Sequence, residues 1–293
     1  MIHAKPNLRF SLVLATVGRT REPARFLESL AGQTRADFEL VVVDQNEDER
    51  LAPVLAPYRQ RFPILHMRSK PGLSRARNAA LAHVKGDVVA FPDDDCWYPS
   101  GLLETVAGML RQHEEWDGLT CRVVDQRGRP SVARWDSRAG ILKATNVWRR
   151  ACSISIFLRR STVDRVGRFD EGMGVGSGTP FGGGEETDYL LRAIRLGCRL
   201  YYDPTVSVGH PSPTLRYDAQ ALARARSYGR GHGRLLSRHP FPLWFKLHMC
   251  LRPLGGSLLC LLQGRLGKAR FHLAVFRGRL AGWRAKDKPT QER

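Results

Sequence analysis

This chain lacks paired cysteines and long apolar runs, and toward its C-terminus it is nearly without acidic residues. Its six cysteines, at positions 96, 121, 152, 198, 250 and 260, include no C-x-x-C pair. That spacing argues against a zinc cluster or a disulfide framework and fits reduced thiols in a reducing compartment. No stretch reaches the roughly 18 uninterrupted apolar residues of a membrane span. The N-terminal apolar run of about seven residues passes directly into a strand-like segment, so a signal peptide is not expected. The first strand is followed neither by the mononucleotide-binding glycine fingerprint nor by G-x-x-x-x-G-K-[ST], which speaks against a dinucleotide enzyme and a P-loop ATPase. From Pro211 to Arg293 there are 17 Lys or Arg against 3 Asp or Glu, whereas the first 210 residues carry 30 against 25. The front has the balance of an ordinary soluble domain, and the back suits something anionic: nucleic acid, phospholipid headgroups or a phosphorylated acceptor.

What is present is organised around Gly86–Pro99, GDVVAFPDDDCWYP. The apolar run from Val88 to Phe91 ends on three carboxylates, Asp93, Asp94 and Asp95. Like charges in a row raise the free energy of a fold unless a cation or a donor group relieves them. On an extended segment Asp93 and Asp95 point the same way, so they are expected to converge on one ion while Asp94 turns aside. Oxygen ligands of this kind suit Mg²⁺ or Mn²⁺; a solvated acidic turn is the plainer alternative.

The rest of the front half alternates strand and helix. Strands are expected at 10–15, 38–43 and 63–67. Helices are expected from a Thr20 cap toward Gln33, before Pro57, and over 73–82. This is the rhythm of a mostly parallel sheet, with ligands beyond the carboxyl ends of its strands. Asp44 and Asp93–Asp95 both fall at such ends. Further on, a helix is expected from Pro99 toward Trp116, with strands at 118–124, 131–135 and within 149–160. A strand at 198–202 is expected to have a short partner at 206–208, followed by His210, which could be a ligand or structural. Seven glycines between Gly172 and Gly184 read as a loose or tightly turned segment such as an active-site lid, or as a surface loop. It runs into Glu185-Glu186 at the first turn of a helix over 187–196. At 293 residues and 42% hydrophobic content, the chain is long enough for one large α/β domain with an extension.

Taken together, Thr16-x-x-Arg19, Asp44 after a valine run, Leu73-Ser-Arg-x-Arg-Asn78, the D-x-D pair Asp93/Asp95, Val166-Gly-x-Phe-Asp-Glu171, Gly184-Glu-Glu-Thr-Asp188 and His210 resemble the inverting nucleotide-sugar glycosyltransferases of family 2, in the correct order over residues 9–212. Those enzymes commonly build bacterial polysaccharides, cell-wall polymers and lipid-linked glycans. The resemblance implies a GT-A fold, a single Rossmann-like mixed sheet flanked by helices over residues 1–212, with a basic, mostly helical extension over 213–293. It implies that Thr16, Arg19 and Asp44 line the nucleoside pocket. Arg75 and Asn78 would lie beside the nucleotide or its phosphates, Asp93 near the ribose and sugar, and Asp94 among the residues that bind the donor. Asp95, with His210 and Asp93, would hold a divalent metal. The donor would be a UDP-, GDP- or dTDP-sugar and the acceptor a glycan or a lipid-linked hydroxyl. The family's base lies in a Glu-Asp pair. Here the pair is Glu185-Glu186, which lengthens the second side chain by about 1.5 Å of reach. Glu186 is the expected base, with Glu185 in support and Asp188 as the alternative.

The extension mixes Trp244, Phe245, Leu247, Leu258, Leu261 and Phe271 with Lys and Arg. Such a cationic amphipathic segment can lie in an anionic membrane surface or pack as a helical pair. The expected location is the cytoplasm, or the cytoplasmic face of the inner membrane. Nucleic-acid binding by the tail is the rival reading from another class, opposed by the lack of a recognisable DNA- or RNA-binding module. A sugar nucleotidyltransferase would call for a glycine-rich nucleotide loop with a lysine near the first strand, which Thr16-Val-Gly-Arg19 does not supply. A catalytically silent protein of the same fold is the third alternative.

Overall fold

The run Phe10–Thr16 forms strand β1, buried at six of its seven positions, in a computed structural model that describes residues 7–35, 37–212 and 216–285. Burial on both faces is what a continuous apolar run requires in a helix-flanked sheet. Helix α1 (Arg21–Ala31) follows, turning Phe26, Leu27 and Leu30 inward. Next come β2 (Phe38–Asp44), the single-turn helix α2 (Ala52–Leu55) and β3 (Ile64–Arg68). Helix α3 (Leu73–Leu81) and β4 (Val88–Ala90) complete this half.

The second half contains α4 (Leu102–Gln112), β5 (Gly118–Val124), β6 (Gly140–Ile141), β7 (Ile156–Arg159) and α5 (Arg160–Val166). Helix α6 (Glu185–Arg195) and β8 (Leu200–Gly209) follow. The strand order is β3-β2-β1-β4-β7-β5-β8-β6. Strands β1 to β4 run parallel, β7 is antiparallel to both β4 and β5, and β8 is parallel to β5. The carboxyl ends of β1, β2, β4, β5 and β8 therefore share one edge. This is the mixed α/β sheet expected from the sequence.

Two expected elements differ. Residues 131–135 are not a strand. Val132 has a φ of 57°, which breaks an extended run, and the indole Nε1 of Trp135 donates back to the Ser131 carbonyl at 2.9 Å. The expected strand at 198–202 and its partner at 206–208 are one strand, β8. The Asp203 carboxylate accepts from Thr205 N and Oγ1 at 2.8 and 2.6 Å, and the register against β5 shifts between Cys121 and Arg122. Pro204 sits at this irregularity, where a ladder tolerates proline.

Contacts divide the chain into two units. The first holds residues up to Phe169 and Tyr189–Pro213, and the second holds Asp170–Asp188 and the chain from Thr214 onward. The boundary expected at 212/213 falls at residues 213–215, outside the described residues. The second unit contains α7 (Ala219–Arg238), α8 (Leu243–Leu262) and α9 (Leu266–Arg284), a bundle of three helices in the extension read from the sequence as mostly helical. Its α7–α9 crossing is built on glycine. A Cβ at Gly229 would lie 2.7 Å from the Val275 carbonyl oxygen, and one at Gly233 would overlap that of Arg279. Reciprocally, a Cβ at Gly278 or Gly282 would overlap the carbonyl of Arg226 or Arg230. Small residues four apart on both helices let the backbones touch.

The glycine-rich segment is tightly turned within this unit. Gly174, Gly176, Gly178 and Gly184 have φ between 73° and 96°, and Gly182 N donates to Ser227 Oγ of α7 at 3.2 Å. Arg234 of α7 stands over the Phe181 ring at 4.4 Å. Gly231 abuts the Gly183 backbone so closely that a Cβ would overlap the Gly183 carbonyl oxygen.

Candidate functional site

Thr16, Arg19, Asp94, Asp95 and His210 come together at the carboxyl edge of the first unit. Thr16, the last residue of β1, donates from Oγ1 to Asp94 Oδ2 at 2.6 Å. Arg19, in the turn leaving β1, places Nη1 between Asp94 Oδ1 at 2.6 Å and Asp95 Oδ2 at 2.8 Å. His210 follows β8 directly and sets Nε2 3.1 Å from Asp95 Oδ1. It is held there by its own chain. Trp97 and Gly209 exchange backbone hydrogen bonds at 3.0 and 2.9 Å, and the Trp97 indole lies so close to Gly209 that a Cβ would overlap the ring. The aspartates and the histidine are thus joined through Trp97, two residues beyond Asp95, and Gly209, which immediately precedes His210.

The aspartates divide differently from the alternation expected of an extended strand. Asp93 forms an isolated bridge with Ala15, and Cys96 N bonds back to Asp93 O at 3.3 Å, so Asp94 and Asp95 occupy a turn. Asp94 and Asp95 share Arg19. Asp93 instead accepts from Arg77 Nη2 at 3.4 Å and from Ser153 Oγ at 3.3 Å to both oxygens. Arg77 is almost wholly buried beside the edge-to-face pair Phe91 and Phe169, its guanidinium 5.8 and 5.4 Å from the two ring centroids.

These contacts set the electrostatics. Burial raises the Asp94 carboxyl above its ordinary value, against the Thr16 hydrogen bond and the Arg19 charge. Burial also works against Asp95, but the hydrogen bonds and charges of His210 and Arg19 outweigh it and hold that carboxyl at about 2. Burial would lower His210, yet Asp95 raises it above its usual range. His210 Nδ1 donates to the Pro211 carbonyl at 2.7 Å and Nε2 faces Asp95 Oδ1 at 3.1 Å, the geometry of a doubly protonated ring whose Nε2 proton would have to leave before that nitrogen could hold an ion.

Asp44, at the end of β2, is fully buried. It accepts from Asn46 N and Nδ2 at 2.9 and 2.7 Å and lies 3.0 Å from His66 Nε2. Asn78 clasps the Phe169 backbone, accepting from its N at 2.7 Å and donating to its O at 3.0 Å. Arg75 donates to the Pro71 carbonyl at 2.8 Å.

The acids of α6 belong to the second unit. Glu185 and Asp188 are buried and Glu186 is partly exposed. Asp188 Oδ1 lies 2.9 Å from His239 Nε2, and Arg238 is paired with Asp170. A Cβ at Gly174 would come within 3.1 Å of the Glu185 carboxyl, so the turn there fits around that side chain. Acids in a first helical turn also favour the helix dipole.

Sequence reasoning missed His66, Asn46, Ser153 and His239. His66 could have been found, since it pairs with Val42, which shares a face with Asp44. Nothing in the sequence links Ser153 to Asp93 or His239 to Asp188, which meet only in the folded chain. Among the described residues no group of three or more His, Cys, Asp or Glu is disposed to hold a metal. Asp95 and His210 nevertheless offer a carboxylate oxygen and an imidazole nitrogen side by side. That pair fits a divalent ion whose remaining ligands are phosphate oxygens and water.

Residues 11–165 match the family model described as Glycosyl transferase family 2. The Pre-mycofactocin glycosyltransferase of Mycobacterium tuberculosis is 31% identical over 60% of this chain, which spans 37% of that protein's length. The succinoglycan biosynthesis protein ExoM of Rhizobium meliloti is 28% identical over 75% of this chain and 72% of its own. Among solved structures, the mannosyltransferase PcManGT from Pyrobaculum calidifontis in complex with GDP-Man and Mn²⁺ superposes with a TM-score of 0.67 at 15% identity, covering 97% of this chain and 89% of that one. Staphylococcus aureus TarS 1–349 in complex with UDP-GlcNAc gives 0.59 at 16% identity, covering 93% of each. With more than half of its length matched by the family model, the chain belongs to glycosyl transferase family 2.

Proposed function

We propose that this chain transfers a sugar from a UDP-, GDP- or dTDP-sugar to a hydroxyl of a glycan or lipid-linked acceptor, with inversion at the anomeric carbon. The observation that carries this reading is the cluster of Arg19, Asp94, Asp95 and His210 at the carboxyl edge of a family 2 sheet. The UDP-GlcNAc and the GDP-Man with Mn²⁺ in complexes of the same fold support a nucleotide-sugar donor. Asp44, oriented by Asn46 and His66, and Thr16 would face the nucleoside. Arg19 and Arg75 would meet the phosphates, with Asn78 fixing the chain beside them. Asp93, backed by Arg77 and Ser153, would orient the ribose and sugar.

Asp95 and His210, with Asp93 nearby in sequence, would hold a Mn²⁺ or Mg²⁺ ion. When bound, the ion would stabilise negative charge on the departing diphosphate. Glu186 is the base in this reading, supported by its partial exposure where Glu185 and Asp188 are buried. Its carboxylate takes the acceptor hydroxyl proton as the oxygen attacks the anomeric carbon. The bond to the diphosphate breaks with its electron pair, and the new glycosidic bond forms on the opposite face.

The test is release of nucleoside diphosphate from a panel of UDP-, GDP- and dTDP-sugars, with Mn²⁺, Mg²⁺ or chelator, alongside calorimetric donor binding. One donor should be bound and turned over. Glu186→Gln should lower kcat by about 10²–10⁴ while leaving donor binding intact, and Asp95→Ala should weaken metal-dependent binding. Absence of binding for every nucleotide would overturn the reading.

A further inference from the structure

Helix α8 points its apolar residues the wrong way for a water-soluble bundle. Its inner face, with Phe245, Met249, Pro253 and Cys260, is buried. Its outer face is not polar, as such a face ordinarily is. Trp244, Leu247, Leu251, Leu258, Leu259 and Leu262 are all exposed, Trp244 by 64% and Leu262 by 87%. At 100° per residue these side chains fall in one half of the helix surface along its whole length. That makes a mainly apolar stripe about 30 Å long, interrupted by the exposed His248 and Gly255.

Charge selects the occupant. From Ala219 to Arg284, the span of α7 to α9, the sequence holds 13 Lys or Arg and no Asp or Glu. A second copy of the chain seated on α8 would bring two acid-free cationic surfaces together. Nucleic acid would satisfy the charges and leave the leucines in water. An anionic lipid surface satisfies both, taking leucine and tryptophan into its acyl boundary and the cations onto its headgroups. Among the described residues no helix is long and apolar enough to cross a membrane. The exposed Arg252, at the edge of this stripe, also favours a helix lying in the plane.

We propose that the outer face of α8 is a docking surface for an anionic phospholipid bilayer, with Trp244 inserted at the headgroup level. The proposal does not depend on sugar transfer, because attachment is measured without any nucleotide sugar.

The experiment is flotation of the full chain with vesicles of zwitterionic phospholipid alone or mixed with phosphatidylglycerol. The chain should float with the anionic vesicles, and less so as salt is raised. Leu251→Glu combined with Leu258→Glu should weaken partitioning at least about tenfold with the thermal transition unchanged. In the unsubstituted chain, lipids brominated on the acyl chains should quench tryptophan fluorescence, and Trp244→Phe should remove that component. This second readout stands even if the double variant misfolds. Failure to float with anionic vesicles, quenching that survives in Trp244→Phe, or a dimer in light scattering that the double variant abolishes would each overturn the proposal, the last in favour of a second copy on that face.

Discussion

In the helical bundle, glycine substitutions should take opposite signs according to what an added Cβ meets at the α7–α9 crossing and away from it. In a helix, Gly→Ala ordinarily stabilises by about 0.5–1 kcal/mol, because alanine loses less backbone entropy on folding. At Gly255, on the exposed side of α8, an added Cβ meets nothing within 4 Å, so Gly255→Ala should stabilise by that amount. At Gly233 and Gly282 the added methyl would occupy the carbonyl oxygen of Arg279 or Arg230. These are backbone atoms that cannot swing aside. Even at Gly229, the least crowded of the four, the Cβ would be 2.7 Å from the Val275 oxygen where ordinary contact begins near 3.4 Å, so the helices must part by about 0.7 Å.

Overpacking of this kind costs about 1–3 kcal/mol or more, and the deeper overlaps belong at the upper end. After the propensity gain, Gly233→Ala and Gly282→Ala should each destabilise by about 2 kcal/mol, roughly 3 kcal/mol apart from Gly255→Ala. The double variant should cost less than the sum, since one displacement relieves both clashes. The assay is urea unfolding followed by far-ultraviolet circular dichroism, with midpoints compared at constant m. If Gly233→Ala and Gly282→Ala stabilise as Gly255→Ala does, the close backbone approach is refuted.

Thr16→Val removes the hydroxyl that donates to Asp94 while keeping the side chain's shape. With Asp94 buried, it should cost about 1–3 kcal/mol in urea unfolding and lower donor affinity in calorimetry. His239→Ala leaves the buried Asp188 oxygen without its imidazole partner, and a loss of about 2–4 kcal/mol is expected; His239→Gln should restore part of it, and equal effects of the two would sink the assignment. His232 keeps an edge at the surface, but crowding by protein and then the Arg279 charge push its pKa down to about 3 from 6.5. The unfolded chain therefore binds the proton first, and stability present above pH 6.5 should fall as pH drops toward 3. The slope is at most about 1.4 kcal/mol per pH unit, an upper bound given the exposed edge. His232→Asn should flatten the stability profile in that window, and an unchanged profile would count against the burial argument.

The sheet was legible because its signals are local. Valine- and leucine-rich runs bounded by turn residues identify strands, and acids at their ends identify the ligand edge. What failed needed distant information. Residues 131–135 carry no internal mark that Val132 adopts a positive φ, and Asp203-Pro-Thr205 reads as a break between strands because a bulge and a turn use the same residues. The spacing Gly229-x-x-x-Gly233 and Gly278-x-x-x-Gly282 was open to reading as a close helix crossing. It became meaningful only once the two segments were known to be partners.

The acidic cluster shows the same boundary at the level of chemistry. Three adjacent carboxylates require relief from repulsion, and that much follows from the sequence. Which groups supply the relief does not. Asp93 is answered by Arg77 from α3, Asp94 by Arg19 from the β1 turn, and Asp95 by Arg19 and by His210 beyond β8. Three protein cations from three elements thus balance the cluster before any ligand arrives, so the fold does not depend on a metal to gather these aspartates. Arg19 is 44% exposed at its side chain and bridges two of them, so an incoming diphosphate would compete with both for one guanidinium. Arg19→Ala should therefore raise the already elevated Asp94 pKa further, removing the charge that now opposes burial. Carboxyl titration by NMR reads that shift, and an Asp94 pKa unmoved by the substitution would show that burial alone governs it.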